Sequence, residues 1–389
     1  MQPAETSYAA DVMLQSEHLQ FRSAFRRFVQ ERLAPLAIEG EKAKRFPLEV
    51  YKALGEGGYL APDCPEEIGG GGGDILIGCV YYEELTRIPA GVSAGVFAHQ
   101  HLALKPLLTL GTEAQKREYL LPGVRAERIG AFALTEPDAG SDIMGIRTRA
   151  RRDGADWIIS GSKVYITNGT IADYYLVAAR TMAERRPDAL SLFIVDSRSQ
   201  GLSASPLDKL GNYSSSTALV SLDDVRVGPG QLLGKVGGGL GQLKATLVSG
   251  RIMQATRGLG IAQSALEHSL AYAGQRKAFG RLIGDFQGVA FKVAEMAAKI
   301  EAARLMIYGA ACAHIAGKEV SMVASMGKYL AADAVQYAVL NAVTVHGGYG
   351  YMEESGLPRL YRDAPESYIG EGTPEIQLRI IARAMGMKC

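Results

Sequence analysis

The chain has 389 residues and a formal net charge of +1 at pH 7. Apolar residues make up 47% of it and charged residues 21%, which is typical of a soluble globular protein of two or three domains. The balanced charge gives no support to binding of nucleic acid or of an anionic membrane surface. No apolar run is long enough to cross a bilayer, so we expect neither nucleic-acid nor membrane partners.

The four cysteines are Cys64, Cys79, Cys312 and Cys389, and they show neither a C-x-x-C pair nor ligand spacing with the six histidines. Residues 1–10 lack the basic segment followed by an apolar core that is typical of a signal peptide. We therefore predict reduced thiols, no metal site and a cytoplasmic location.

From about residue 10 to residue 122, apolar residues recur at helical intervals, which predicts a helical N-terminal domain over 1–128. Five consecutive glycines at 69–73 interrupt this pattern. They have no Lys-Ser/Thr after them and no clear strand before them, so a phosphate-binding loop is not indicated. We predict a flexible surface turn there.

Between about residues 129 and 233 the pattern changes to short β-rich runs separated by turn residues. The predicted strands are residues 130–134, 157–159, 163–166, 174–178, 191–195 and 219–222. This spacing favours a small barrel or sandwich over βαβ units, and we assign 129–235 to a middle β domain.

Three long apolar-periodic stretches follow at 243–276, 285–316 and 321–346, with no proline inside them. Asp285 is a candidate N-cap for the second stretch. Together with a last helix predicted at 375–387, they indicate a four-helix bundle domain over 236–389. The predicted fold class is therefore α+β, with a helical domain, a small β domain and a helical bundle in chain order.

The most informative local feature is Glu371, which lies between Gly370 and Gly372 just before the last predicted helix. The glycines allow the backbone to approach a ligand closely, and a helix N-terminus offers free N–H groups. Such a loop can hold a general base or seat a phosphate. Without further context, a glutamate between glycines is most often a solvated loop residue.

Four further motifs accompany this loop. They are F-A-L-T-E-P-D-A-G-S-D at 132–142, K-V-Y-I-T-N-G at 163–169, R-K-A-F-G-R-L-I-G-D-F-Q at 276–287 and H-G-G-Y-G-Y at 346–351. On the residues alone, Tyr165 could equally be a core residue packed with Trp157, and Arg276 a surface residue at a helix end. Together with the segment 347–377, however, the motifs closely resemble those of the acyl-CoA dehydrogenase family, over nearly the whole chain.

The resemblance implies an FAD cofactor, a homotetramer and a set of cofactor contacts. These implied contacts are Phe132, Leu134, Thr135, Gly140, Ser141, Tyr165, Thr167, Arg276, Phe279, Phe286, Gln287, Thr344, Gly347, Gly348, Thr373 and Glu375. The implied substrate contacts are Ser141, Arg251 and Gly372. Two cofactor positions depart from the family pattern, since Trp or Phe is usual at Tyr165 and Gln is frequent at Thr344.

The resemblance also implies that Glu371 is the catalytic base, as in the short- and medium-chain-like branch. Another branch carries its base directly before an arginine, and Gly250 stands there, before Arg251, so the chain has a single candidate base. Glu371 is expected to remove the α-proton of an acyl-CoA while the β-hydride moves to flavin N5. The expected product is a trans-2-enoyl-CoA of fatty acid metabolism, and the expected electron acceptor is electron-transferring flavoprotein.

Three alternatives remain open at this point. Val248 stands where short- and medium-chain enzymes commonly have an aspartate that meets pantetheine. With Thr344, it keeps open a dehydrogenase of acyl- or aminoacyl-carrier-protein thioesters in a biosynthetic pathway. The others are an oxidase or flavin monooxygenase on the same fold, and a non-catalytic flavin- or nucleic-acid-binding relative. The sequence does not determine the acyl chain length.

Overall fold

The computed structural model describes residues 9–182 and 189–388, without the side chains of residues 240 and 243–245. Cys389 lies outside the described residues, Cys64 and Cys79 are buried, and Cys312 is half-buried. No helix in this part of the chain is both long and apolar enough to span a membrane. The described residues also contain no cluster of three or more side chains suited to hold a metal ion.

The N-terminal part of the chain is helical. Its helices are α1 (Ser16–Phe28), α2 (Ala34–Ala43), α3 (Glu49–Glu56), α4 (Ile75–Leu85), α5 (Ala90–Phe97), α6 (Lys105–Leu110), α7 (Glu113–Gln115) and α8 (Leu121–Val124), with π-helical turns at Val29–Leu33, Ala98–Leu104 and Lys116–Leu120. The Asp74 carboxylate caps α4 by accepting the N–H groups of Leu76 and Ile77 at 2.8 and 3.1 Å. Every residue of α4 after Ile75 is buried, so this helix runs through the interior.

The glycine run at 69–73 is not a flexible turn but a tightly packed segment. The N–H groups of residues 70–73 donate to four carbonyl groups between residues 61 and 65. A Cβ at Gly70 would lie 2.3 Å from the carbonyl oxygen of Cys64, and a Cβ at Gly71 would lie 2.7 Å from that of Pro62. Glycine is required here because two chain segments touch through their backbones, which corrects the prediction.

The middle domain is a single curled sheet. Its strands are β1 (Gly130–Ala133), β2 (Arg149–Asp153), β3 (Asp156–Thr167), β4 (Tyr174–Arg180), β5 (Leu190–Asp196), β6 (Leu202–Pro206), β7 (Thr217–Val227) and β8 (Leu232–Leu233). The strand order is β6-β7-β3-β2-β4-β5-β8, and β1 pairs in parallel with β4. The sheet encloses its own core, in which Trp157 of β3 meets Phe193 of β5 with ring centroids 5.4 Å apart.

Three strands, β2, β6 and β8, are absent from the sequence-based prediction. The first reads R-A-R-R-D and buries only Ala150, the second is mostly exposed, and the third has two residues, so none shows an apolar run. Conversely, the strands predicted at 157–159 and 163–166 are one strand, β3, with irregular pairing near Gly161. A Cβ at Gly161 would lie 2.5 Å from the Thr148 hydroxyl.

Three long helices and two shorter ones form the C-terminal bundle. They are α9 (Gly239–Ala273), α10 (Gln287–Ile315), α11 (Ser321–His346), α12 (Leu357–Ile369) and α13 (Pro374–Ala384). A small hairpin, β9 (Lys277–Ala278) and β10 (Arg281–Leu282), connects α9 to α10. The N-cap of α10 is Phe286, without a side-chain cap, so the prediction that Asp285 caps this helix is wrong.

Buried polar contacts join the three parts of the chain. Arg304 of α10 donates to Glu83 of α4 at 2.8 and 3.1 Å. The side chain of Asn168, just after β3, donates to the Gly95 carbonyl of α5 at 2.9 Å. The N–H of Asn212, between β6 and β7, donates to the carboxylate of α12 residue Asp363 at 2.6 Å. The β domain is thereby fixed against α5 and α12, next to the loop that follows α12.

Candidate active site

The loop after α12 presents Glu371 in a strained, left-handed backbone conformation. Glu371 has a φ of 55°, which is costly for a residue with a side chain, and Gly372 follows at 97°. Lys328 donates to the Gly372 carbonyl at 2.6 Å, and the Gln377 amide donates to the carbonyls of Glu371 and Gly372 at 3.2 and 3.0 Å. The N–H of Glu371 donates to none of the described residues. The loop therefore offers both a carboxylate and an N–H group to a ligand.

Burial raises the pKa of the Glu371 carboxyl above its ordinary value. The positive charges of Arg251 and Lys328 act in the opposite direction and lower this pKa, whereas the nearby carboxylate of Glu366 raises it. A carboxylate with a raised pKa is a stronger proton acceptor, so these surroundings suit proton abstraction from a weak carbon acid.

Gly250 of α9 faces the Glu371 carboxylate. A Cβ at Gly250 would lie 3.3 Å from Oε2 of Glu371 and 3.4 Å from the His101 ring. Glycine at 250 thus lets the backbone of α9 approach the carboxylate closely. His101 is buried and stacked on Phe97, and its burial lowers the His101 pKa to about 4, so its ring is neutral near pH 7.

We expect Lys328→Gln to shift the acid limb of the kcat/KM profile to higher pH. If Glu371 is the expected base, it must be ionised to react; the Lys328 charge favours the ionised form, so its removal raises the pKa of Glu371. Burial lowers the pKa of Lys328 to about 8, which leaves it charged in wild type at neutral pH. Lys328→Arg, which keeps the charge, is the control, and an acid limb that stays in place in Lys328→Gln would contradict the assignment.

The motifs at 132–142 and 163–169 contact each other near the ends of β1 and β3. The Val164 N–H donates to the Thr135 carbonyl at 3.0 Å, and the Lys163 ammonium donates to the Leu134 carbonyl at 2.9 Å. Lys163 also forms a buried ion pair with Glu136 at 2.7 Å, and its burial lowers the Lys163 pKa to about 8. This ion pair, which the sequence did not predict, fixes one motif against the other.

The surface that these motifs build fits an aromatic ring system with attached phosphates. Tyr165 is 69% exposed, so the alternative that it packs in the core with Trp157 is wrong. The hydroxyl groups of Thr135 and Thr167 have no hydrogen-bond partner within residues 9–182 and 189–388. Nothing lies within 4 Å of a Cβ built on Gly140. An exposed ring, two unpaired hydroxyls and an open glycine loop are compatible with the FAD contacts that the family resemblance implies.

A second group of predicted cofactor residues lies at one end of the bundle. Phe279 is 95% exposed in the β9–β10 turn, and its ring centroid is 6.1 Å from that of Phe286. Tyr349 stacks on Tyr272 at 5.9 Å, which brings the segment after α11 beside the end of α9. The predicted residues at this end are Arg276, Phe279, Phe286, Gln287, Thr344, Gly347 and Gly348. Exposed aromatic rings of this kind mark a surface that a ligand or a partner covers.

The remaining predicted residues lie in α9, at the start of α13, and in and after β1. Arg251 follows Gly250 in α9, and burial lowers the pKa of its guanidinium. Thr373 and Glu375 begin α13, where their hydrogen bond lowers the pKa of Glu375. Phe132 is half-buried in β1, and Ser141 is exposed in the loop that follows it.

Sequence patterns missed several polar residues around Glu371. Lys328 comes from α11, Gln254 and Arg257 come from α9, and Glu366 comes from α12. Gln254 and Arg257 are buried, although they occupy an otherwise apolar stretch of α9. The available signal was the presence of polar residues inside an apolar helical pattern. This signal does not indicate which other helix the polar residues contact.

Models of the N-terminal, middle and C-terminal domains of acyl-CoA dehydrogenase match residues 15–127, 131–225 and 237–386. The chain belongs to the acyl-CoA dehydrogenase family. An acyl-CoA dehydrogenase of Bacillus subtilis (strain 168) is 40% identical to it over 94% of this chain and 97% of that protein. The solved structure of butyryl-CoA dehydrogenase from Megasphaera elsdenii superposes with a TM-score of 0.92 at 36% identity, covering 96% of this chain and 99% of the other.

A second similar structure is that of the prolyl acyl carrier protein oxidase AnaB, with a TM-score of 0.92 at 33% identity, covering 96% of this chain and 100% of that chain. Acyl-CoA dehydrogenase family members are FAD-dependent oxidoreductases, and this chain is one of them. The predicted family, fold class and enzyme class are therefore confirmed.

Proposed function

We propose that this acyl-CoA dehydrogenase family member converts an acyl-CoA into a trans-2-enoyl-CoA, with Glu371 as the base. The observation that carries the proposal is the Glu371 carboxylate, which has a raised pKa and faces the bare backbone of Gly250. Its loop is held in a strained conformation, which is a frequent property of catalytic positions.

Glu371 accepts the α-proton of the thioester, and Arg251 and Lys328 keep enough of it ionised to do so. Its N–H group, which has no partner in the described part of the chain, is available to the thioester oxygen as negative charge develops there. Such donors contribute about 3–4 kcal/mol each in other enzymes. Bound FAD supplies the acceptor for the β-hydride. Tyr165, Thr135 and Thr167 would hold its ring.

The phosphates of FAD are assigned to Gly140, Ser141 and the arginine at residue 276. The exposed rings at the bundle end support a homotetramer in which one subunit's bundle end covers the cofactor of another. Phe279 and Tyr351 are 95% and 79% exposed, which is unusual for rings that meet only water. Electron-transferring flavoprotein as acceptor, a cytoplasmic location and a role in fatty acid metabolism are proposed from the family resemblance.

A second candidate function is dehydrogenation of an acyl- or aminoacyl-carrier-protein thioester. Two observations favour it. Val248 offers no carboxylate to a pantetheine arm, and the prolyl acyl carrier protein oxidase AnaB is similar over nearly its whole length.

The reaction class is tested by mixing the flavin-loaded protein with acyl-CoAs from butyryl to palmitoyl, and with branched ones, without oxygen. The acyl-CoA proposal predicts loss of oxidised-flavin absorbance and a matching enoyl-CoA product. If no CoA ester reduces the bound flavin but the corresponding carrier-protein thioester does, the second candidate is correct. If neither does, the proposed reaction is wrong.

A further inference from the structure

Polar side chains pack against the residue that directly precedes Glu371. Gly370 directly precedes Glu371, and a Cβ at Gly370 would lie 2.7 Å from Oε1 of Glu366 and 3.0 Å from Nε2 of Gln254. Glycine at 370 therefore lets the backbone before Glu371 pack closely against these two groups. Pockets for alkyl chains are lined mainly by apolar side chains, so a glutamate and a glutamine at this place require a different explanation.

Glu366, Gln254 and Arg257 form one hydrogen-bonded group, which we call the polar cluster. The Gln254 amide donates to Oε1 of Glu366 at 3.1 Å, and Arg257 donates to Oε1 of Gln254. Arg257 Nη2 lies 3.3 Å from Oε2 of Glu366, and its Nε donates to Ser93 at 3.2 Å. Gln254 and Arg257 are both buried. They are therefore positioning residues that hold the Glu366 carboxylate in place.

Glu366 keeps acceptor capacity that the protein does not use. A carboxylate offers about four acceptor positions. The donors from Gln254 and Arg257 both go to Oε1, whereas Oε2 has the ion-pair contact with Arg257 Nη2, which lacks hydrogen-bond geometry. The Glu366 side chain is 34% exposed, so the protein does not fully enclose its carboxylate. Its negative charge raises the pKa of both Glu371 and Lys328.

We propose that the polar cluster is a subsite for an acyl group that carries an N–H or O–H donor, with Oε2 of Glu366 as the acceptor. This inference rests on the proposed function and deepens it by naming the substrate class. A plain alkyl chain would cover the carboxylate without replacing its hydrogen bonds to water. An acyl group that ends in a carboxylate is disfavoured by the like charges of Glu366 and Glu371.

The simplest competing explanation is that the cluster only connects α9 to α12. In that case its variants would change stability and flavin content but not the order in which substrates are preferred. A second competing role is tuning of the Glu371 pKa, which would change every substrate's pH profile equally. Substrate preference within one variant therefore separates recognition from both alternatives.

The test compares three CoA esters of similar size on the flavin-loaded protein. 4-Hydroxybutyryl-CoA carries a hydroxyl donor where pentanoyl-CoA carries a methyl group, and succinyl-CoA carries a carboxylate. Wild type is expected to prefer the hydroxylated ester over pentanoyl-CoA by about 10-fold or more in kcat/KM. Pentanoyl-CoA has no donor for the Glu366 carboxylate, and a site that is left with an unpaired polar group disfavours such a substrate. Succinyl-CoA is expected to be the poorest of the three.

Glu366→Leu is expected to reverse the preference, mainly through KM, and Glu366→Gln to reduce it while keeping an acceptor. Gln254→Leu leaves the carboxylate without one donor and should weaken the preference less. Glu67→Leu, at an exposed glutamate of the N-terminal domain, is the matched control and should leave the preference unchanged. Calorimetric affinities for the corresponding enoyl products provide a readout that does not depend on turnover.

Equal use of hydroxylated and alkyl esters by wild type, with no change in Glu366→Leu, would overturn the inference. So would a loss of preference in the control variant. These results differ from failure of the proposed function, in which no thioester reduces the flavin of the wild-type protein. If Glu366→Leu does not fold, the preference in Glu366→Gln and Gln254→Leu decides the question.

Discussion

Glu371→Gln is expected to slow flavin reduction by an acyl-CoA by about 10,000-fold, with little change in substrate affinity or flavin content. Glutamine keeps the shape and the backbone N–H of the residue but cannot accept a proton as a carboxylate does. The Lys328 and Gln377 hydrogen bonds that hold the loop are made to its main-chain carbonyls, so they survive the change. Anaerobic stopped-flow absorbance of the flavin measures the rate.

The matched control moves the carboxylate instead of removing it. In Glu371→Gly with Gly250→Glu, the new side chain starts 3.3 Å from the position that the original carboxylate occupied. We expect the flavin of this double variant to be reduced at least about 10 times faster than that of Glu371→Gly alone. This gain is a small part of what a well-placed general base contributes. A Glu371→Gln protein that reduces its flavin at the wild-type rate would show that the base lies elsewhere.

Arg304→Met is expected to lower the free energy of unfolding by about 3–5 kcal/mol, because it leaves the buried Glu83 carboxylate without its charge partner. Arg304 donates twice to Glu83 and once to Gln263 in the interior between α4, α9 and α10. The Tyr308 hydroxyl also donates to Glu83, at 2.9 Å, but a neutral donor does not compensate a buried charge. Urea unfolding followed by circular dichroism measures the change.

Two further variants identify the cause of this loss. Glu83→Gln with Arg304→Met removes both charges. We expect this double variant to lose clearly less stability than the sum of the losses of the two single variants. Arg304→Lys keeps a charge but loses the planar set of donors and should lie between wild type and Arg304→Met. A double variant whose loss equals the sum of the singles would mean that the ion pair is not the source of the effect.

The buried pair also bears on the proposed function, because it fixes the N-terminal helices against the bundle that carries Glu371, the proposed base. His101 and Phe97 belong to the N-terminal part, whereas Gly250 and Glu371 belong to the bundle. A change in how α4 sits against α9 would therefore change the space in front of the carboxylate. We expect destabilised variants of this junction to lose rate before they lose flavin.

The sequence alone determined the α+β class, the long helices of the bundle and the Glu371 loop, because each depends on residues that are adjacent or periodic in the chain. It failed for β2, whose R-A-R-R-D pattern has no apolar run, and for the glycines at 69–73, whose reason is a backbone contact with residues 61–65. Backbone contacts of this kind produce no periodic pattern of residue types in the sequence.

Tertiary structure alone decided the surroundings of the base. Tyr165 is 69% exposed and has a φ of 60° at a register irregularity between β3 and β7, and this backbone conformation could not be predicted from periodicity. Gly250, Lys328 and Glu366 come from three different helices and meet Glu371 only after the bundle has packed. The pKa of the base and the polarity of its pocket depend on burial and on charges distant in sequence, which is why only the folded chain determines them.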